Sequence, residues 1–293
     1  TATIRQKLKA SDVEELPYIQ GYLNAAGISS YADIQKSTDV SSVLNENATV
    51  LNAERVLKVI SDRVDAVNEY IGEETEISMD FYVSINPQTA ITKDNIQLNC
   101  IDSLGNIVST DEYLLPTYET MYQSGAEELT ATIEEISSTV EPMKNVDNWS
   151  NYNRIAARDY ARKWWGPYTS NYNPAYNNYV GKGGDCANFV SQCVYAGGVP
   201  IHGGWSPDSV AWINAASLKN NMLQYGYATK EDAWETNAGN FAYTTAGQGH
   251  IVLVTLNDTV TLAYTAHTTN CKDQPFTQAN INGGYSFYII KNF

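Results

Sequence analysis

The stretch GGDCANFVSQC, Gly183–Cys193, decides the fold of the C-terminal half of this chain, because it places a cysteine where a glycine turn gives way to a helix. Phe189 and Val190 begin an apolar stripe at helical spacing, and a Gly-Gly pair and a proline downstream supply its end. Asp185 is expected to cap the helix, which makes Cys186 the first helical residue.

A cysteine at this position has two interpretations. The N-terminus of a helix carries partial positive charge, so a thiolate of Cys186 is expected to be stabilised there and its pKa lowered. That environment suits a nucleophile. The alternative is a small buried core residue, which is a common setting for a free cysteine.

Length and composition limit the classes of protein. The chain has 293 residues, with 43% hydrophobic and 17% charged residues, which indicates a folded protein of two domains. The net charge of −15 argues against nucleic acid or an anionic membrane as a partner, because both are polyanions. No segment approaches the ~20 consecutive apolar residues that a membrane span needs.

The cysteine count and composition bear on the compartment. Four cysteines, Cys100, Cys186, Cys193 and Cys271, do not make a disulfide framework in a chain of this length. One bridge remains open, and with Cys186 kept free it joins Cys193 to Cys271, both in the C-terminal half. The chain has 21 tyrosines but only 18 lysines and arginines together, a composition that resembles that of secreted proteins. We therefore expect a secreted or cell-envelope location, with any targeting segment already removed.

The first half of the chain predicts an α+β accessory domain over residues 1–145. Residues 1–72 are interpreted as helical, with one helix from a capping box at Ser11 to Gly27 and a second over Ala53–Ile71. From Ile77 to Ile85 the apolar residues alternate, which predicts a strand. Further strands are expected at 95–101, 106–114 and 129–138, with a turn at Gly125.

The second domain is expected over residues 146–293, after a segment without periodicity at Glu141–Ser150. A helix over Tyr152–Trp165 opens it, and the Cys186 helix follows. An aromatic, glycine-rich region then runs from 197 to 249 and leads into strands.

A thiolate needs a base, and the chain offers three histidines. His250 begins the strand HIVLVTL, and His267 ends the next strand, TLAYTAH, after a hairpin turn at Asn257-Asp258. We expect His250 and His267 to lie close together, as a base and its orienting group. The alternative for either one is a structural polar residue at a sheet end. His202, in a glycine loop, is interpreted as a substrate-loop or structural residue.

These motifs together resemble a family known as the "putative amidase domain", a relative of the CHAP and NlpC-type cysteine peptidases of bacteria. The resemblance covers about residues 150–293 and is most specific at GGDCANFVSQC. It implies a papain-like catalytic domain with Cys186 as nucleophile, His250 as base and His267 as the orienting residue. It rests on the segments YNRIAARDYARKWW (Tyr152–Trp165), NPAYNNYVGKGGDCANFVSQCVYAGGVP (Asn173–Pro200), GHIVLVT (Gly249–Thr255) and YTAHTTN (Tyr264–Asn270).

The function expected from this resemblance is cysteine-dependent hydrolysis of an amide bond in peptidoglycan, through a thioester. The bond is the muramoyl-L-alanine amide or one in the stem peptide, and no metal or cofactor is expected. The backbone N–H of Cys186 is expected to bind the oxyanion. Candidates for the second donor are Asn173, Tyr176 and Tyr179. Candidates for substrate contact are His202 and Trp205, and Trp205 is at least as well interpreted as a core residue.

Two other functions remain open at this stage. The first is a catalytically inactive module that binds the cell envelope on the same fold. The second is a metal site built from Cys186, Cys193, Cys271, His250 and His267, although the paired spacing of structural zinc sites is missing. The N-terminal half is expected to serve targeting, substrate presentation or regulation, and the sequence does not indicate the oligomeric state.

Overall fold

The computed structural model of the protein describes residues 1–36, 50–85, 92, 96–102, 104–113, 115–138, 152–183 and 185–291. In this part of the chain, helices accompany two antiparallel sheets. The α+β class expected from the sequence is therefore confirmed. The expected domain boundary at Glu141–Ser150 lies outside the described residues.

The helices in these ranges are α1 (Pro17–Ala25), α2 (Tyr31–Lys36), α3 (Val50–Asn68), α4 (Tyr118–Ser138), α5 (Arg154–Trp164), α6 (Asp185–Ala196), α7 (Val210–Ile213) and α8 (Ala215–Gln224). The strands are β1 (Ala2–Lys7), β2 (Glu74–Ile85), β3 (Ile96–Ile101), β4 (Ile107–Ser109), β5 (Ala228–Glu231), β6 (Phe241–Thr244), β7 (His250–Asn257), β8 (Leu262–Ala266), β9 (Cys271–Pro275) and β10 (Ser286–Ile290). Short helical turns of other types occur at Val13–Glu15, Thr110–Tyr113 and Asn280–Gly284.

The first sheet has the order β1-β2-β3-β4. β2 confirms the expected strand, since Ile77 and Met79 alternate with less buried neighbours. The helical interpretation of residues 1–72 is wrong for β1, which pairs with β2 at Ile4↔Ile77. None of the β1 side chains is buried, so the strand carries no period-two apolar pattern and is held through backbone pairing.

The strand expected at 129–138 and the turn expected at Gly125 are also wrong, because both lie within α4. Gly125 lies where α4 crosses α1. A Cβ on Gly125 would lie 2.0 Å from the carbonyl oxygen of Tyr18, and one on Gly21 would lie 1.9 Å from that of Tyr122. The two glycines therefore allow a close helix crossing. The strand expected at 106–114 is shortened to β4, followed by a helical turn.

The second sheet has the order β5-β10-β6-β7-β8-β9, with every neighbouring pair antiparallel. All of β7 is buried. Ile251 and Leu253 share a core cluster with Phe189 and Val190 of α6. The alternate residues of β7, such as Val252, belong to the cluster on the opposite side of the sheet. α6 therefore packs against one face of this sheet.

The two halves of the chain are in contact. Arg63 of α3, which is buried, donates hydrogen bonds to the carbonyl oxygen of Trp234 and to the side chain of Asn237. The Gln274 amide in β9 donates to the carbonyl oxygen of Ile101 in β3, at 2.7 Å. The first sheet thus packs beside the last strand of the second.

Candidate active site

The turn before α6 has the backbone conformation that the glycine motif predicts, with Gly183 at a φ of +82°. α6 begins at Asp185, so Cys186 is the second helical residue and Asp185 is not the cap residue. The carboxylate of Asp185 instead accepts hydrogen bonds from side chains and from a backbone N–H that precedes the helix. Cys186 nonetheless lies at the N-terminus of the helix, as expected.

The thiol of Cys186 is buried, with 7% of the residue exposed. The backbone N–H of Ile251 in β7 lies near this thiol and acts to lower its pKa. Burial raises the pKa of this thiol above its ordinary value, against the opposing hydrogen bonds from Ile251 and Ala187. The expected lowering of the Cys186 pKa is therefore corrected: desolvation outweighs the helix terminus, and the resting group is a thiol.

His250 is the first residue of β7 and follows Gly249, whose φ is +83°. The residue is 5% exposed, and its Nε2 atom is buried without a hydrogen-bond partner. Burial lowers the pKa of His250 to about 4, so the ring is neutral at neutral pH. A neutral imidazole with a free ring nitrogen has the form that a general base requires.

The side chain of His250 projects from the other face of the sheet. Thr244 pairs with His250, and Tyr243 pairs with Ile251. Ile251 packs in the α6 cluster, so alternation along the strand turns His250 away from α6. No hydrogen bond joins the side chains of His250 and Cys186 within the described residues.

His267 follows β8 and is 2% exposed. Its Nδ1 lies 3.0 Å from a carboxylate oxygen of Asp185, and its Nε2 lies 2.7 Å from the carbonyl oxygen of Trp164. The sequence analysis expects His267 to orient His250, but both ring nitrogens are occupied elsewhere. Continuing the register Leu253↔Thr265 places His267 opposite Ile251, so the two histidines lie on opposite faces.

Asp185 is the residue whose role the sequence analysis missed. Besides His267, its carboxylate accepts from the Tyr172 hydroxyl at 2.9 Å, the Tyr179 N–H at 3.3 Å and the Asn188 amide at 3.3 Å. Asp185 and Asn188 are both buried. Two such polar residues three positions apart in an apolar helix are the signal that points to a buried network.

All three donor candidates lie on the segment before α6, and two of them are engaged by side chains of the helices. The Asn173 amide donates to the hydroxyl of Tyr160 at 2.6 Å, and the Tyr176 ring stacks on Trp212 with centroids 5.8 Å apart. Tyr176 is half-buried. Both side chains are therefore engaged within the protein.

The third donor candidate, Tyr179, contacts the network and a neighbouring loop. Its backbone N–H reaches Asp185, and its hydroxyl donates to Asp208 at 2.7 Å. Asp208 also accepts from the Asn177 amide at 2.8 Å. Asp208 thus ties its loop to the segment that precedes α6.

The substrate candidates His202 and Trp205 lie apart from Cys186 in the sequence and pair with each other as an isolated bridge. Trp205 is fully buried, and its indole N–H donates to Ser191 at 3.1 Å. The interpretation of Trp205 as core is the one that the structure supports. The His202 ring packs on Tyr227 with centroids 4.1 Å apart, and its Nδ1 lies 2.7 Å from the Pro200 carbonyl oxygen.

The other arrangements considered from sequence can also be compared with the structure. All four cysteines are free and buried, and Cys193 and Cys271 belong to separate core clusters, so the disulfide between them is not formed. Within the described ranges, no three His, Cys, Asp or Glu side chains form a group able to hold a metal ion. In the same ranges, no helix has the length and hydropathy to cross a membrane.

Two cavities lie near this region, and neither is lined by Cys186 or His250. One, of about 290 Å³, lies between the halves and is lined by Thr1, Thr3, Glu76, Ser78, Met79, Asp80, Trp165, Asn270, Cys271, Lys272, Asp273 and Gln274. The other, of about 120 Å³, is lined by Pro174, Ala175, Tyr176, Asn177, Pro207 and Asp208. In this conformation the residue that carries the thiol is 7% exposed, which leaves little of it accessible to a substrate.

Comparison with known proteins gives two curated relatives from Bacillus subtilis (strain 168). "Uncharacterized protein YhbB" is 35% identical over 80 residues, which are 25% of this chain and 24% of that protein. "Uncharacterized protein YjcM" is 28% identical over 153 residues, which are 47% of this chain and 36% of that protein. The chain thus spans about a quarter and about a third of the lengths of these relatives.

No solved structure matches the chain. The segment with α5, α6 and the second sheet does match a known family. Residues 151–290, which contain Cys186, His250 and His267, match the family described as "Putative amidase domain", a description that indicates hydrolysis of amide bonds.

Proposed function

We propose that residues 146–293 form a papain-like cysteine amidase or peptidase of the CHAP and NlpC type. The single observation that carries this proposal is Cys186 at the N-terminus of α6, packed in one core cluster with Ile251 of β7, inside the segment that matches an amidase family. Its proposed substrate is peptidoglycan or a peptide derived from it, in a secreted or envelope-associated setting.

His250 is the proposed base. Its free, neutral Nε2 favours it over His267, whose nitrogens are both engaged. Gly247 and Gly249, with φ of +64° and +83°, precede it and allow the entry to β7 to change direction. In this proposal, a rearrangement of this entry turns the His250 ring to the α6 face of the sheet and brings it to the sulfur.

The reaction then proceeds by base-assisted attack. His250 takes the thiol proton as the sulfur attacks the amide carbonyl, and the Cys186 N–H stabilises the oxyanion. The protonated His250 gives its proton to the departing amine, which leaves a thioester on Cys186. Water, deprotonated by His250, hydrolyses the thioester and restores the thiol.

Digestion of purified peptidoglycan, followed by product mass analysis, tests the proposal. The parent protein is expected to release, for each bond cut, one fragment with a new carboxyl group and one with a new amine, whose masses together exceed that of the intact segment by one water. Cys186→Ala is expected to lose more than about 10³-fold in rate, whereas Cys193→Ala, in the same helix, keeps the activity. Equal digestion by the Cys186→Ala protein would show that the thiol is not the nucleophile.

The choice of base needs its own comparison. His250→Gln is expected to lower the rate by about 10²–10⁴-fold, while His202→Gln serves as the matched control. Full activity in His250→Gln, together with loss in His267→Gln, would transfer the role of base to His267.

A second candidate function is an inactive module that binds the cell envelope. The buried thiol and its raised pKa are the observations that favour it. In that case purified peptidoglycan retains both the parent and the Cys186→Ala protein in a sedimentation assay, and neither releases fragments.

A further inference from the structure

The hydrogen bonds of His267 determine its protonation. Nδ1 faces a carboxylate oxygen of Asp185 at 3.0 Å, and Nε2 faces the carbonyl oxygen of Trp164 at 2.7 Å. A backbone carbonyl and an ionised Asp185 only accept hydrogen bonds, whereas a neutral imidazole has a single N–H to donate. We propose that His267 is a buried imidazolium, paired with ionised Asp185, which acts as a positioning residue for the N-terminus of α6.

The state of Asp185 agrees with this assignment. Its other carboxylate oxygen accepts from Tyr172, Asn188 and the backbone of Tyr179, so the charged form is well satisfied. Burial is the largest effect and acts to raise the pKa of Asp185, but the hydrogen bond and charge of His267 and the hydrogen bonds from Tyr172 and Asn188 together lower the net pKa. Asp185 therefore accepts a hydrogen bond at each of its four contacts, which is what an ionised carboxylate does.

Aromatic rings surround the imidazolium. The Phe189 ring is stacked on His267 with centroids 4.0 Å apart, and the Tyr172 ring lies at 5.4 Å. The faces of aromatic rings attract a cation, and this attraction is stronger when the cation is desolvated. The titratable groups nearest the ring are Asp185 and its neighbour Cys186 in α6, and Tyr172, whose pKa is raised first by burial. The helix that ends at Trp164 also carries charged and titratable groups, the last of them Tyr160, Arg162 and Lys163.

The pair joins two helices at the proposed nucleophile. Trp164 ends α5, and Asp185 begins α6, so His267 links the end of one helix to the start of the other. The negative charge of Asp185 raises the pKa of the neighbouring Cys186 thiol, and an imidazolium partner offsets that charge. This consequence for the thiol rests on the proposed function, whereas the protonation of His267 does not.

Nitrogen-15 NMR of the histidine side chains tests the protonation directly. At pH 7.5, the parent protein is expected to show one ring with protons on both nitrogens, and that signal is absent from His267→Gln and retained in His202→Gln. Asp185→Asn, which supplies an amide in place of the carboxylate, is expected to convert the ring to a neutral tautomer. A single ring proton on His267 in the parent overturns the proposal, as does an unchanged imidazolium in Asp185→Asn.

Alkylation of Cys186 by iodoacetamide, located by peptide mass, tests the positioning role. His267→Gln leaves Asp185 uncompensated, so the alkylation rate at pH 7.5 is expected to fall about tenfold, in line with a rise of one pKa unit. The double variant Asp185→Asn, His267→Gln is expected to recover most of that loss. Equal rates in all three proteins refute the positioning role. Failure of the proposed function would instead appear as full hydrolysis by Cys186→Ala, with the NMR result unchanged.

Discussion

At the scale of single residues, the site combines two groups that burial keeps neutral with one pair that hydrogen bonds keep charged. Burial raises the pKa of Cys186 and lowers that of His250. Asp185 and His267 are buried to the same extent, but their side chains are hydrogen-bonded to each other. The proposed reaction therefore starts from a thiol and an imidazole.

The pKa of His250 links stability to pH. It changes from 6.5 in the unfolded chain to about 4 in the folded protein, so the unfolded chain binds more protons between these values. The part of the free energy of unfolding that depends on a neutral His250 is fully present above pH 6.5 and is lost as the pH falls from 6.5 to 4. The loss attributable to His250 is about 3 kcal/mol.

Denaturant unfolding at several pH values measures this loss. His250→Gln is expected to remove most of the decline between pH 6.5 and 4, while His202→Gln retains it. Parallel declines in the parent and His250→Gln proteins would contradict the assignment.

The residue types of the site were predictable from the sequence, but their relative positions were not. Cys186 at a helix start follows from the glycine turn and the apolar stripe. The face of the sheet from which the His250 side chain projects depends on the register of β7 against β6. The local sequence does not determine that register. The pKa of Cys186 depends on how far α6 is buried, which is a property of the tertiary packing.

At the scale of elements, the helices and strands with a clear period were predictable. α3, α5, α6 and the β7–β8 hairpin follow from their apolar patterns. β1 was missed because its exposed side chains carry no such pattern. In α4, Gly125 suggests a turn in the sequence, but it lies within a helix where α4 crosses α1. Its role depends on the close approach of the Tyr18 backbone, which the local sequence does not show.

The crossing of α1 and α4 makes a prediction about stability. Gly125→Ala puts a methyl group 2.0 Å from the carbonyl oxygen of Tyr18, so the helices must separate. We expect a loss of about 3 kcal/mol in the free energy of unfolding. Ser124→Ala, one position earlier in α4, is the matched control. Equal unfolding midpoints for the two variants would contradict the close crossing.

At the scale of the whole molecule, acidic side chains cluster where the two halves meet. The Thr132 hydroxyl of α4 donates to Glu235 at 3.3 Å, and Glu128 of α4 accepts from Tyr18. Burial raises the pKa of Glu128 to about 7 and that of Glu235 to about 10. The division of the chain at residue 145 is our proposal, and this cluster lies across it.

The acidic cluster makes the free energy of unfolding fall as the pH rises, which is the opposite of the dependence expected from His250. The folded pKa values lie above the unfolded value of 4.5, so the stabilisation is complete below pH 4.5 and is lost as pH rises through 7 toward 10. Glu235→Gln is expected to flatten the fall in unfolding midpoint between pH 7 and 9. The exposed Glu134→Gln, on α4, is the control. An unchanged slope in Glu235→Gln would contradict the account.

The central claim is that Cys186 forms a thioester with the substrate. Rapid acid quenching of the parent protein with soluble peptidoglycan fragments, followed by peptide mass analysis, measures this most directly. We predict an acyl adduct on the peptide that contains Cys186, absent from the Cys186→Ala protein and present in Cys193→Ala. Release of hydrolysis products by the Cys186→Ala protein at the parent rate, with no adduct on Cys186 in the parent, would contradict the claim.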